Sequence, residues 1–404
     1  MYEGVFKDLK ILDFCWAIAG PWMVKYFADM GAEIIHVESR RHPDLIRTGP
    51  PFQDGKPGVD SSIYFLNYHC NKYGMGLNLR HEKAKGIMRG LIEWADVLVE
   101  NFMPGVMDSW GFSYEEIKKI KPDIIMVSQS QCGQTGPIAR VRGTGVQLAA
   151  FSGFNYITGW PDREPSVLYG GFTDCPAARF GAAALIAALI RRRRTGQGMY
   201  IDLSQLEAGV QLLAPAILDY RLTGRVARRQ GNFHPSAAPH GVFPCRGDDR
   251  WCAIAVFTDD HWQGLCQAMG DPAWAKEKRF LSFTARKENK GELEEKISQW
   301  TKTLDAFTVM ARLQELKVPA GVAQKSEDLY CDPQLDHRGF FWEVEHPVMG
   351  KHRLESEAFI FSKTPPELRM PSACMGEHTE WICREILGLS DEQFVEYLTE
   401  GVFE

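Results

Sequence analysis

Asp174 is the residue whose type and setting most invite chemistry. It stands in Gly170-Gly171-Phe172-Thr173-Asp174-Cys175-Pro176, directly before Ala177 to Arg194, a run rich in small residues that reads as one helix. Aspartate at a helix start has an ordinary structural use, because its side chain can accept the orphan N–H groups of the first turn. The same place suits a nucleophile. A helix N-terminus stabilises negative charge, and a carboxylate that attacks an acyl group carries it forward as a covalent intermediate. On spacing alone both uses stay open, with capping the default. Cys175 is intrinsically more nucleophilic, but a buried structural thiol is the usual case. Gly170 and Gly171 would let backbone or ligand approach closely, or would simply turn a strand end.

No generic motif competes. The chain has no P-loop, no GxGxxG after a strand, no GxSxG and no HExxH. The 11 histidines are dispersed, and no spacing suggests a metal site. The 10 cysteines form no CxxC pair, which points to buried thiols in a reducing compartment. A net charge of −6 argues against a nucleic-acid partner. The one dense basic cluster, Arg191 to Arg194, suits the C-terminal end of its helix. At 404 residues, 45% hydrophobic and 24% charged, the chain has the composition of a globular protein of two or three structural units. No apolar run approaches the roughly 20 residues of a membrane span. Met1 to Gly4 lacks the basic-then-apolar pattern of a signal peptide. The expectation is a cytoplasmic protein without membrane contact.

The elements that must position Asp174 alternate between strand and helix. Leu9 to Phe14, Ala32 to Glu38, Val97 to Asn101, Ile124 to Ser128 and Tyr200 to Leu203 read as buried strands. Between them lie a helix opened by Gly20-Pro21, a helix with Ala84, Ile87, Met88, Leu91 and Ile92 on one stripe, and a helix near Tyr114 to Ile120. Strand–helix–strand repetition predicts an open parallel sheet with helices on both faces. A helix over about 206–222 reads as a connector. From about Arg225 the texture changes to breakers, a hairpin (His240 to Cys245 with Trp251 to Phe257) and then helices. The expected division is a large α/β domain over 1–198, a linker over 199–225 and a small α+β domain over 226–325. A segment over 326–404 then returns to the large domain. A strand pair is expected near Trp342 to Arg353, and Ser390-Asp391-Glu392-Gln393 is a capping box before the last helix.

Several short signatures occur in order along the chain. They are Ala19-Gly20-Pro21, Gly31 to Glu38, Asn71-Lys72, Val99-Glu100-Asn101-Phe102-Met103-Pro104-Gly105, Gly133-Gln134-Thr135-Gly136-Pro137, Thr195-Gly196-Gln197-Gly198 and Gly376-Glu377-His378-Thr379. With them the chain resembles, nearly end to end, the class III coenzyme A (CoA) transferases of the CaiB/BaiF type. That group includes formyl-CoA:oxalate transferase, carnitine CoA-transferase and the α-methylacyl-CoA racemases. The resemblance implies an interlocked dimer, of identical chains or with a paralogous subunit. It implies a CoA thioester as substrate, with no tightly bound cofactor and no metal. Asp174, at the family's distance from Thr195-Gly196-Gln197-Gly198, becomes the nucleophile, passing through an aspartyl anhydride and an aspartyl-CoA thioester. CoA is implied near Ala17, Ile18, Ala19, Asn101 and Phe102, with Lys72 and Arg140 as candidate cations and Arg142 a third.

The sequence departs from the formyl-CoA transferase pattern at Ile18 (glutamine there), Ser39 (arginine), Tyr73 (a basic residue) and in lacking a clear counterpart of its glycine run. Ile18, between Trp16, Ala17 and Ala19, predicts an apolar or aryl-substituted acceptor, as in benzylsuccinate CoA-transferase, with succinyl-CoA as donor. An acyl-CoA racemase of the same fold is the first alternative, but Thr144 stands where the racemases carry a histidine. A non-catalytic subunit of a heteromeric transferase is the second.

Overall fold

The structure, a computed structural model, describes residues 4–403. Six strands form one parallel sheet: β1 (Lys10–Phe14), β2 (Glu33–Glu38), β3 (Tyr73–Gly76), β4 (Val97–Glu100), β5 (Ile125–Ser130) and β6 (Met199–Ser204), in the order β3-β2-β1-β4-β5-β6. The strands read as unbroken apolar runs because helices cover both faces. On one face, Ile11, Ile34, Val97, Val99, Ile125 and Val127 pack under helices α1 (Ala19–Asp29) and α6 (Asp174–Thr195). On the other, Leu12, Ile35, Leu98 and Met126 pack with α3 (Ala84–Trp94), α4 (Tyr114–Ile120) and the C-terminal residues Ile382, Phe394 and Phe403. Helices α2 (Ile63–His69) and α5 (Gly145–Phe151) complete the surroundings of the strand ends.

The strand order reverses between β1 and β4. In open sheets of this kind the crevice outside the carboxyl ends at the reversal is where ligands bind. The free edge of β3 is covered by 374–379: Gly74 N–H donates to His378 Nδ1 (3.1 Å), Gly76 N–H to Thr379 Oγ1 (2.9 Å), and His378 N–H to Gly74 O (2.9 Å). That explains why the Gly376 to Thr379 signature lies so far along the chain from the strand it serves.

The chain divides into two compact units, 1–156 with 166–227 and 338–404, and 157–165 with 228–337. The smaller unit has a three-stranded antiparallel sheet of His240–Pro244, Trp251–Ala255 and Ala320–Val322, with helices Asp259–Ala268, Lys290–Thr301 and Ala306–Glu315 over it. It ends at 337, where the sequence reading ended it at 325. The stretch read as a linker begins with β6 itself. Its helix is two, α7 (Gln205–Leu212) and Ala214–Thr223, with Pro215 in the first turn of the second. Phe341–His346 and Gly350–Glu355 form the expected strand pair, and Ser390 closes a capping box with Gln393. No helix among the described residues is long and apolar enough to cross a membrane.

Candidate active site

Asp174 lies at the first turn of α6, and its side chain does not cap the helix. Thr173 holds the cap position and makes no side-chain capping bond. The Asp174 carboxylate instead accepts a short hydrogen bond from Gln205 Nε2, at the start of α7; the same amide also donates to Thr173 Oγ1 (3.1 Å). Room for the carboxylate is made by glycine. A Cβ on Gly171 would sit 1.8 Å from Asp174 Oδ2, and one on Gly145 would sit 3.1 Å from it. Burial pushes the Asp174 carboxyl up to about 6, opposed by the Gln205 bond. The group is therefore ionised at neutral pH, yet poorly solvated, and a poorly solvated carboxylate is a better nucleophile.

Asp174 lines a cavity of about 620 Å³ together with Ala17, Ile18, Ala19, Asn101 and Phe102. The fold thus gathers six of the nine expected site residues at the reversal between β1 and β4. Trp16, Leu45, Ile46, Tyr64, Met103 and Val146 give the cavity an apolar wall. Among the described residues lining it there is no lysine, arginine or histidine, and Asp174 is the only acid. A neighbouring cavity of about 490 Å³ shares Trp16 and Phe102 and is bordered by Arg41, His42, Arg80 and His81. Ser39 also lines it.

The loop after β1 that forms the floor is held in an unusual backbone shape. Ala17 has φ +62°, a left-handed conformation that costs a residue with a Cβ about 1–2 kcal/mol. Three side chains hold it there. Cys15 N–H donates to Asp13 Oδ1 (2.9 Å), and Ala17 N–H donates to Asp44 Oδ1 (2.9 Å). Asn101 clasps Trp16 from both sides, accepting its N–H (2.8 Å) and donating to its carbonyl (2.7 Å). Asn101 thus serves the loop's backbone. Gly20 is needed below, where a Cβ would come within 2.6 Å of Cys15. Asp44 is pushed up to about 6 by burial, against the N–H groups of Ala17 and Ile46.

Lys72 and Arg140 lie elsewhere. Lys72 is 1% exposed and lines neither cavity; its ammonium bonds Asp13 Oδ2 (3.0 Å) and the Pro21 carbonyl (3.2 Å). Burial would raise the Asp13 carboxyl, but Lys72 and His36 outweigh it and hold it well below the usual carboxylate range. Arg140 is exposed, with its guanidinium near Gly105, and lines neither cavity. Arg142 is exposed too. Folding also creates a cluster that no spacing in the sequence shows, Asp13, His36 and His69, with ligand-capable atoms within 4.8 Å of one another. The Lys72 ammonium already compensates the carboxylate in that cluster.

Cys175 does not line the cavity of Asp174, and its Sγ contacts the Arg179 guanidinium. Thr144, at the position of the racemase histidine, lines the cavity, but its hydroxyl and N–H both donate to Gln147 Oε1 (2.7 and 2.8 Å). It offers no base for proton abstraction. Sequence reasoning missed Gln205, Gln129 and Asp44. Each is a single polar residue outside any motif, and only the fold brings it to the site.

A lone, partly desolvated carboxylate thus stands at the switch point of a parallel sheet. The chain matches CoA-transferase family III over residues 6–379 and belongs to that family. It is 31% identical over 386 residues to the succinyl-CoA–D-citramalate CoA-transferase of Chloroflexus aurantiacus, covering 95% of this chain and 94% of that protein. It is 32% identical over 409 residues to a protein named "Probable CoA-transferase" in Mycobacterium tuberculosis, covering 98% of this chain. There the chain spans about half the length of the relative (50%). A CaiB/BaiF family protein from Brucella suis has the same fold, with a TM-score of 0.87, 30% identity, and 95% of this chain and 99% of that one covered.

Proposed function

We propose that this chain moves CoA from an acyl-CoA, with succinyl-CoA as donor, to a free carboxylic acid with an apolar body, using Asp174 as nucleophile. The observation that carries this is the position of Asp174 as the only acid among the described cavity-lining residues, raised to about 6 and still ionised at neutral pH.

The steps follow from that group. An Asp174 oxygen attacks the thioester carbonyl, the C–S bond breaks, and CoA leaves as thiolate. The thiolate adds to the Asp174 carboxyl carbon, and the donor acid departs with the bridging oxygen, leaving an aspartyl-CoA thioester. The acceptor carboxylate attacks that thioester and again frees the thiolate. The thiolate then attacks the acceptor's carbonyl carbon, giving the product thioester and restoring Asp174. The apolar wall serves to keep water from the anhydrides. Incubation with acyl-CoA followed by hydroxylamine or borohydride should modify Asp174. Peptide mapping that finds the label on Cys175 would overturn the mechanism.

The acceptor's apolar body is supported by Ile18 and its neighbours, which reward hydrocarbon at about 25 cal/mol per Å² buried. A small dianion such as oxalate would leave a carboxylate without a cation. The measurement is kcat/KM for oxalate, glutarate and an aryl-substituted acid, in wild type and Ile18→Gln. Preference for oxalate, or a ranking unmoved by the substitution, refutes the argument. A second reading, a dicarboxylic acceptor, is favoured by the name of the Chloroflexus relative. A clear preference for glutarate or citramalate over the aryl acid would select it.

The assembly is proposed to be a dimer, homomeric or with a paralogue. The helix Ala214–Thr223 has no buried residue and exposes Ile217, Leu218, Tyr220 and Leu222, an apolar surface that a second chain would cover. A stable, active monomer in sedimentation would contradict this.

A further inference from the structure

Two aromatic rings form the partition between the two cavities. Trp16 and Phe102 line both of them, and their rings meet edge to face at 5.6 Å. Trp110, which lines the second cavity, also meets Phe102 edge to face, at 5.2 Å. Two consecutive residues at the end of β4 hold this pair by its backbone. Asn101 clasps Trp16, and Glu100 Oε2 accepts the N–H of Phe102 at 2.7 Å. Phe102 stands beyond the last residue of β4, so its N–H needs a partner outside the sheet. Glu100 supplies it.

Glu100 is 3% exposed and lines neither cavity, so it acts on a ligand only through what it holds. Around it stand Asp202 and Tyr200 from β6, Asp108 from the short helix Val106–Ser109, and Cys15 from the loop after β1, none of them a cation. Burial and the two aspartates push the Glu100 carboxyl up to about 7, against the bonds from Ser128 and Phe102. Its charge is therefore gained and lost around neutral pH. An ionised acceptor makes a hydrogen bond roughly twice as strong as a neutral one, so a proton on Glu100 loosens its hold on Phe102. We infer that Glu100 is a positioning residue: through the Phe102 N–H it sets the ring between the two cavities, and with it the affinity for a ligand that crosses from one cavity into the other. An acyl-CoA has the length to do so, because its thioester and its nucleotide lie at opposite ends of an extended arm. The inference rests on the reading of Asp174 as the group that carries CoA.

The probe is CoA itself, titrated into the full chain by calorimetry at pH 8.0 and pH 6.0. The proteins are wild type and Glu100→Gln, which keeps an oxygen for the N–H and loses the charge. At pH 8.0 the variant should bind CoA about 5- to 10-fold more weakly, the difference between a charged and a neutral hydrogen bond. At pH 6.0, where both proteins carry a neutral group, the two affinities should agree within about 2-fold. Comparing the proteins at one pH cancels the titration of CoA's own phosphate. With succinyl-CoA and glutarate at pH 8.0, the loss should fall on KM for succinyl-CoA rather than on kcat. In a Phe102→Ala background, Glu100→Gln should change the affinity by less than about 2-fold, because the ring it positions is gone. An equal ratio at the two pH values, a loss confined to kcat, or a cost that survives Phe102→Ala would overturn the role of Glu100, while Asp174 still takes its label from acyl-CoA. If wild type binds no CoA and no label reaches Asp174, the reading of Asp174 fails and takes this one with it.

Discussion

Replacing Asp174 by asparagine should abolish transfer and strengthen the fold at neutral pH. Burial raises the Asp174 carboxyl from 3.8 to about 6. That shift of about 2 units is worth about 3 kcal/mol, at 1.36 kcal/mol per unit. The folded chain holds this proton more tightly than the unfolded chain. The group's contribution to stability is therefore complete below pH 3.8 and is lost as pH rises to about 6. Asparagine carries no charge to desolvate and keeps an oxygen for the Gln205 bond. The variant should therefore gain about 1–3 kcal/mol over wild type at pH 7.5, the range allowing for imperfect packing of the new amide. At pH 4.5 most of the wild-type groups are protonated in the fold, and the gain should be smaller by about 2 kcal/mol. Urea unfolding of both proteins at both pH values, followed by fluorescence and circular dichroism, measures this directly. An equal gain at the two pH values, or a loss at pH 7.5, would show that the carboxylate is not desolvated. Substantial turnover by the variant would remove it as nucleophile.

The same shift predicts that kcat/KM falls on the acid side with a midpoint near pH 6, where Asp174 takes up its proton; a limb near pH 4 would mean an ordinary solvated carboxylate. Gly171→Ala puts a Cβ 1.8 Å from Asp174 Oδ2 and should cost about 100-fold or more in turnover by displacing the nucleophile, with the circular dichroism spectrum unchanged. Wild-type rates would show that the carboxylate can move aside freely. Lys72→Met strips Asp13 of its buried ammonium and should destabilise the protein by about 3–5 kcal/mol in urea, with part recovered by adding Asp13→Asn. A raised KM for acyl-CoA with stability intact would return Lys72 to the ligand.

Periodicity located the sheet well because its strands are buried on both faces and its helices carry a single apolar stripe. Tyr114–Ile120 has the expected limits, and β1, β2 and β4 differ by a residue at one end. The helix expected from Ala177 starts three residues earlier. Pro176 sits in its first turn, where a missing N–H costs nothing. Ala320–Val322 escaped notice because three residues cannot show alternation, and their ladder partner, Trp251–Ala255, lies about 65 residues away. At the site, ordered signatures marked the loops that close strand ends, so Ala17 to Ala19, Asn101, Phe102 and Asp174 were all legible. They could not say what each side chain bonds. Lys72 looked available as a cation because its partner Asp13 is 59 residues distant. Gln205 and Gln129 carry no local signal at all. Their meaning comes from the pairing of β5 with β6 and from the turn that starts α7.

The bonds that close the edge of β3 also set a timetable for synthesis. Gly74 and His378 are 304 residues apart. At 5–20 residues per second, about 15–60 s pass on the ribosome between making the strand and making its cover. Throughout that interval β3 presents unpaired N–H groups, the feature that recruits stray strands. The smaller unit is inserted within this span and can fold while the larger one waits. The nascent chain therefore spends most of its synthesis with an unfinished sheet edge. Its demand for chaperones should rise when translation is slowed between codons 80 and 370, and not when it is slowed earlier.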